Sequence, residues 1–91
     1  MKLAVVGTGF VGVVTAAVFA KFGHTVYGLD IDPAKIESLN KGKVPFFEPG
    51  LEELLLAGLH AGNLHFTTSY QEATADADIS IIAVGTPSSP E

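Results

Sequence analysis

The run Gly7-Thr8-Gly9-Phe10-Val11-Gly12 follows directly on the apolar segment Lys2-Leu3-Ala4-Val5-Val6, and Asp30 stands 18 residues beyond the last of its glycines. Where a strand turns into a helix, glycines at this spacing do three different things. The first lets the chain turn sharply, the second has no side chain to keep a pyrophosphate off the backbone, and the third lets the helix pack closely on the sheet. The start of the helix then turns its unpaired amides and the positive end of its dipole toward phosphate oxygens. A glycine triplet by itself is a weak signal, because glycine-rich turns are common, so the reading rests on the residues around it.

Three neighbouring features support a dinucleotide site. Residues 2 to 6 are short, apolar and β-branched at their end, as a buried parallel strand is. Residues 10 to 22 contain no proline and a single glycine, and Gly23 follows where a helix commonly ends in a left-handed cap. Residues 25 to 29 read as a second strand that runs into Asp30, whose carboxylate is placed to accept hydrogen bonds from both hydroxyls of an adenine ribose. The same carboxylate repels a phosphate on the 2′ oxygen, and no arginine follows at Ile31 or Asp32 to attract one. NAD is therefore expected rather than NADP. The competing reading, a glycine-rich turn in an unrelated α/β domain with Asp30 as a surface cap, leaves the joint placement of strand, helix and acid to coincidence.

The 91 residues suffice for one small domain. A complete six-stranded dinucleotide fold needs more chain, since each strand with its crossover helix takes ~30 residues. The expectation is a partial NAD-binding domain over residues 1–91, the N-terminal piece of a larger protein. A formal net charge of −5 argues against a nucleic-acid partner, but not against a dinucleotide held by local amides and a helix end. The absence of cysteine removes disulfides, thiolate catalysis and cysteine metal sites from this chain. His24, His60 and His65 are too scattered for a metal site or a catalytic base and read as exposed residues at element ends, so no metal is expected. Residues 3 to 20 carry no charge and superficially resemble a signal peptide or a short membrane span. Three glycines and a threonine interrupt that stretch between residues 7 and 12, and the acid at the expected distance favours the nucleotide site. A cytoplasmic location without a membrane partner is the resulting expectation.

Beyond Asp30, Asp32 followed by Pro33 marks a helix start, with Ile36 and Leu39 or Asn40 facing inward and Gly42 ending the segment. Residues 43 to 50 form a loop with Pro45, Phe46, Phe47, Glu48 and Pro49, where the two aromatics are expected to anchor the loop to the core and Glu48 to cap the next helix. Residues 51 to 61 read as a helix with Leu51, Leu54, Leu55 and Leu59 apolar, and residues 64 to 67 as a short strand. Ser69 with Glu72 is a capping box opening a helix through about Ala77. Residues 79 to 84 are nearly all apolar and read as a strand buried on both faces, with Asp76 and Asp78 before it facing solvent.

The alternation implies an α/β fold, a Rossmann-like parallel sheet with helices on both faces, strand order 3-2-1-4, truncated after the fourth strand. That strand lies at an edge, so homodimerisation or aggregation through residues 79 to 84 is expected.

MKLAVVGTGFVG at the start, GLDIDPAKIESLNKG, PFFEPGLEELL and the ending AVGTPSS together resemble the nucleotide-sugar 6-dehydrogenases, the UDP-glucose/GDP-mannose dehydrogenase family. The resemblance covers the whole chain, and the second and third stretches are far more restrictive than the glycines. It implies an NAD-dependent oxidoreductase of nucleotide-sugar metabolism, supplying polysaccharide biosynthesis, that oxidises the C6 alcohol of UDP-glucose to the carboxylate of UDP-glucuronate in two steps with two NAD. GDP-mannose is the alternative substrate. It further implies that Gly7, Thr8, Gly9, Phe10, Val11 and Gly12 form the pyrophosphate loop, with the amides near Phe10 and Val11 as donors. Asp30 then matches the ribose acceptor, Lys35 a basic position near that ribose, and Val84, Gly85, Thr86, Pro87 and Ser88 the segment bordering the adenosine side.

In the family a cysteine nucleophile and a separate sugar-binding domain carry the chemistry, and both are expected beyond residue 91. The chain alone is thus expected to bind NAD, to meet its nucleotide-sugar substrate only with that downstream domain, and to turn nothing over. Two readings of other kinds compete: a non-catalytic NAD-binding module, and a flavin-binding domain using the same fingerprint.

Overall fold

The computed structural model describes residues 1–44 and 48–83. In chain order its elements are β1 (Lys2–Val6), α1 (Phe10–Lys21), β2 (Thr25–Leu29), α2 (Pro33–Asn40), α3 (Leu51–Ala61), β3 (Leu64–Thr67), α4 (Tyr70–Thr74) and β4 (Ile79–Ile82). All neighbouring strands are parallel and the order is β3-β2-β1-β4, as the alternation of elements implies.

Local signals set the helix ends. Gly23 takes φ 97° just past α1 and its amide donates to the Ala20 carbonyl at 3.0 Å. The Asp32 carboxylate accepts from the Ala34 and Lys35 amides at the start of α2, with Pro33 in the first helical position. Ser69 Oγ accepts from the Glu72 amide at 3.1 Å, which is half of the expected capping box. The return half runs through a relay: the Ser69 amide donates to Thr67 Oγ1, and that hydroxyl donates to Glu72 Oε1. Before α3, Glu48 contributes its backbone carbonyl, which accepts from the Leu51 amide, while the helix cap itself is Gly50 without a side-chain bond.

The sheet separates two layers. Leu3, Val5, Val26, Leu64 and Phe66 point to one face and bury against α1, α2 and α3 through Val13, Ala16, Ala17, Ala20, Ile36, Leu39, Leu51 and Leu55. Ala4 and Leu29 point to the other face and meet Ala73 of α4. Each large aliphatic side chain buried this way contributes about 1.5–3 kcal/mol. Small residues let the layers approach: a Cβ at Gly58 would press on Leu64 and on Ala20. Two side-chain amides then stitch the rim. Asn40 donates to the Phe66 carbonyl at 3.0 Å and accepts from the Phe66 amide at 3.2 Å, standing in for a neighbouring strand on the outer edge of β3. Asn63 Nδ2 donates to the carbonyls of Ala20 at 2.7 Å and His24 at 3.1 Å, tying the end of α1 to the start of β3.

Three expectations need correction. The helix opened by Ser69 stops at Thr74 because Ala75 turns extended and Asp76 adopts φ 59°. β4 is not buried on both faces: Ile79 and Ile82 remain 48% and 66% exposed, and on the face of Ile82, which is in register with Val6, α4 lies over β1 and β2 rather than over β4. His65 lies inside β3, half-buried, with its ring stacked on Tyr27 at 4.6 Å, and His24 is half-buried beside Phe19. Asp76 and Asp78 are exposed as expected, and Asp78 also accepts from the Lys2 amide at 2.8 Å. Pro45, Phe46 and Phe47, with the anchoring role expected of the two aromatics, fall outside the described residues. Among the described residues no helix is long and apolar enough to cross a membrane.

Candidate dinucleotide site

The site forms where β1 and β2 end side by side. Gly7 turns the chain out of β1 at φ 106°, a left-handed conformation open to glycine, and its amide donates to the Leu29 carbonyl at 2.7 Å. Gly12 lies against that turn. A Cβ there would run into the Gly7 carbonyl oxygen, so the third glycine of the run lets α1 seat on the turn itself. Gly9 is different: a Cβ built on it meets no atom within 4 Å. Among the described residues nothing requires the second glycine to be small, and open space lies beside its backbone.

Gly9 caps α1 without a side-chain hydrogen bond, and no acid lies in the first turn. The first bond within the helix runs from the Val13 amide to the Gly9 carbonyl at 2.9 Å, so the amides of Val11 and Gly12, in the first turn, have no carbonyl of the helix to donate to. Among the described helices α1 is the one lacking both devices. Asp32 and Ser69 cap α2 and α4, and Glu52 and Glu53 occupy the first turn of α3. A helix start with neither a side-chain cap nor a first-turn acid is disposed to hold an anion.

Asp30 stands beyond the end of β2 with its side chain 17% exposed. Its Oδ2 accepts from the Thr8 hydroxyl at 2.7 Å and the Thr8 amide at 3.2 Å, and its Oδ1 accepts from the Asp32 amide at 3.1 Å. Lys35 Nζ approaches Oδ2 at 3.6 Å. Partial burial pushes the carboxyl's pKa up, but the Thr8 hydroxyl, the Asp32 and Thr8 amides and the Lys35 charge outweigh it, and the net effect holds Asp30 below its ordinary value. At neutral pH it is an anion with hydrogen-bond acceptors to offer. Beside it Asp32, Lys35, Ser38, Lys43 and Val44 line an open cavity of about 280 Å³.

The structure thus brings Gly7, Thr8, Gly9, Phe10, Val11, Gly12, Asp30 and Lys35 to one end of the sheet. Val84, Gly85, Thr86, Pro87 and Ser88 lie outside the described residues. Two features escaped the sequence reading. Thr8 is only 1% exposed and turns its hydroxyl inward to Asp30, which no local pattern signals across 22 positions. Ile31, between two acids, is 92% exposed. An apolar residue directly after the strand-ending acid is a signal that was there to read.

The chain is similar in sequence and fold to known proteins. The family model described as "UDP-glucose/GDP-mannose dehydrogenase family, NAD binding domain" matches residues 1–91. A UDP-glucose 6-dehydrogenase of Bacillus subtilis is 51% identical over 87 residues, which are 96% of this chain and 20% of that protein. A GDP-mannose 6-dehydrogenase of Pseudomonas syringae is 49% identical over 88 residues, 97% of this chain and 20% of that one. Among solved structures, a ternary complex of a GDP-mannose dehydrogenase from Pseudomonas aeruginosa superposes with a TM-score of 0.93 at 44% identity, covering 99% of this chain and 21% of its own. The chain spans about a fifth of the length of the curated relatives it matches.

Proposed function

The chain belongs to the UDP-glucose/GDP-mannose dehydrogenase family as an NAD-binding domain, and from that premise we propose that it positions NAD for the oxidation of UDP-glucose to UDP-glucuronate by a longer protein. The observation that carries the cofactor placement is the pairing of an uncapped, acid-free helix start with an ionised Asp30 at the neighbouring strand end. The pyrophosphate lies over Gly9 and accepts from the first-turn amides of α1, while the hydroxyls of the adenine ribose donate to Asp30. Ile31 offers an exposed apolar surface for the adenine, and Lys35 approaches the ribose from α2. When bound, NAD supplies the hydride acceptor. The chain's own residues bind and orient it, and the negative charge of Asp30 disfavours a 2′-phosphate.

The chain holds no cysteine, so a thiol nucleophile of the kind the resemblance implies has to come from elsewhere in a longer protein, and the 91 residues alone are expected to be inactive. UDP-glucose is supported by the 51% identity to the B. subtilis enzyme, and GDP-mannose, supported at 49%, is the second reading. Turnover of the full-length protein with UDP-glucose against GDP-mannose, following NADH absorbance, decides between them. Oxidation of neither sugar would overturn both substrate assignments, and no NADH formation with any nucleotide sugar, UDP-N-acetyl-mannosamine included, would leave an NAD-binding module. The exposed Ile79 and Ile82 on β4 also support self-association of the isolated chain. A soluble monomer in light scattering at high concentration would count against that.

A further inference from the structure

We infer that Thr8 is a positioning residue for Asp30: its buried hydroxyl fixes the carboxylate in the orientation that meets the adenine ribose, and so governs NAD affinity without its side chain touching the cofactor. The inference rests on the reading of Asp30 as the ribose acceptor. Thr8 is 1% exposed, which keeps its hydroxyl away from any ligand on the open side of the site. That hydroxyl donates to Asp30 Oδ2 at 2.7 Å, the shortest of the carboxylate's bonds, while the Thr8 amide reaches the same oxygen at 3.2 Å.

The Asp32 amide holds Oδ1 at 3.1 Å, so donors grip the carboxylate from both sides and its rotation is stopped before a ligand arrives. Lys35 adds charge at 3.6 Å, but from a side chain one-third exposed, and it orients less. The Thr8 methyl points toward Gly28 of β2, where a Cβ on Gly28 would meet it at 3.6 Å. A fixed carboxylate loses less conformational freedom on binding, which raises affinity with no added contact.

The test is calorimetric titration of NAD into the purified protein and its variants, with a double-mutant cycle between Thr8 and Asp30. Thr8→Val keeps the volume and the amide bond but removes the hydroxyl, and it is expected to weaken NAD binding about fivefold, the worth of roughly one hydrogen bond. Thr8→Ser restores the hydroxyl and is expected to stay within about twofold of the parent. In the Asp30→Ala background Thr8→Val is expected to change nothing. The parent's binding falls as pH drops through the Asp30 pKa, and loss of the Thr8 donor moves that fall to higher pH. Should the valine variant fail to fold, Thr8→Ala carries the same expectations.

If Asp30→Ala leaves NAD binding unchanged, the ribose-acceptor reading fails and the inference with it. If Asp30→Ala weakens binding and Thr8→Val does not, or if Thr8→Val weakens it equally without Asp30, the acceptor reading stands and the positioning role is overturned.

Discussion

Replacing Gly9 by alanine should leave the fold standing and weaken NAD binding, whereas replacing Gly12 by alanine should damage the fold first. Gly9 has φ −72° and ψ −170°, a conformation open to any residue, and its added Cβ would meet nothing within 4 Å. As an N-cap, glycine is better than alanine by up to about 1 kcal/mol, and a stiffer unfolded chain returns about 0.4–1 kcal/mol of that. The net change in stability is therefore within about 1 kcal/mol. On binding, the methyl occupies the space where a pyrophosphate reaches the α1 amides. Losing one hydrogen bond to a charged group costs about 1.5–3 kcal/mol, or roughly 10- to 150-fold in affinity.

At Gly12 the balance reverses. Alanine in a helix interior gains about 1 kcal/mol of propensity, but its Cβ would collide with the Gly7 carbonyl, backbone that cannot swing aside. Overpacking of that kind costs about 1–3 kcal/mol or more, and it also lifts α1 off its turn. A net loss of up to about 2 kcal/mol lowers the melting temperature by up to roughly 16 °C in a domain of this size. Thermal melts by circular dichroism and NAD titrations on both variants test this. The reasoning is refuted if Gly9→Ala melts as low as Gly12→Ala, if Gly9→Ala binds NAD within twofold of the parent, or if Gly12→Ala is the more stable protein.

Three further outcomes follow from single residues. Because Asp30 is held below its ordinary value of 3.8, its ionised bonds stabilise the fold above that pH and are lost as pH falls through the lower folded value. Asp30→Asn should therefore melt lower than the parent at neutral pH, with the gap closing in acid; a gap independent of pH would contradict the assignment. Ile31→Ser, at a residue 92% exposed, should move stability by less than about 0.5 kcal/mol. It should weaken NAD binding about fivefold if adenine covers roughly half of the side chain, and unchanged titrations would remove Ile31 from the site. Asn63→Asp exchanges two donated bonds for a carboxylate facing the carbonyls of Ala20 and His24, and should cost more in urea than Asn63→Ala, itself about 1–3 kcal/mol.

The elements were legible wherever a local signal sets them. Asp32 with Pro33, Ser69 with Glu72, and Gly23 act within one helical turn, and each helix start or stop lies where they put it. Strand order followed from alternation alone, because parallel neighbours joined by right-handed crossovers leave few arrangements. What stayed hidden depends on partners distant in sequence. The apolar run at the end of the chain looked like a doubly buried strand, yet burial depends on which helix lies over it, and α4 covers β1 and β2. The end of α4 turns on the backbone of Asp76, which no periodicity reports. Within the site, Gly9 and Asp30 were readable from spacing, while the Thr8 hydroxyl acts across 22 positions through a bond only the fold creates.

The missing cap of α1 links stability to function. A serine or aspartate at position 9 would add about 1 kcal/mol to the helix, and an acid in the next turn up to about another. The chain has neither, while its three other described helices each have one or the other. An anion that binds this end supplies the capping bonds that the sequence withholds, so ligand binding and helix stability are one equilibrium seen from two sides. NAD at about 100 times its dissociation constant should then stabilise the protein by about 2.7 kcal/mol, which in a domain of this length raises the melting temperature by roughly 10–20 °C. Asp30→Ala, tested at the same NAD concentration, should show a smaller rise because its affinity is lower, while keeping the part due to the pyrophosphate. Amide exchange adds the decisive observation: protection gained on adding NAD should concentrate in the first turn of α1. Protection spread evenly over the sheet, with none at Val11 and Gly12, would show that the dinucleotide binds elsewhere and that the bare helix end is only a weakly stabilised terminus.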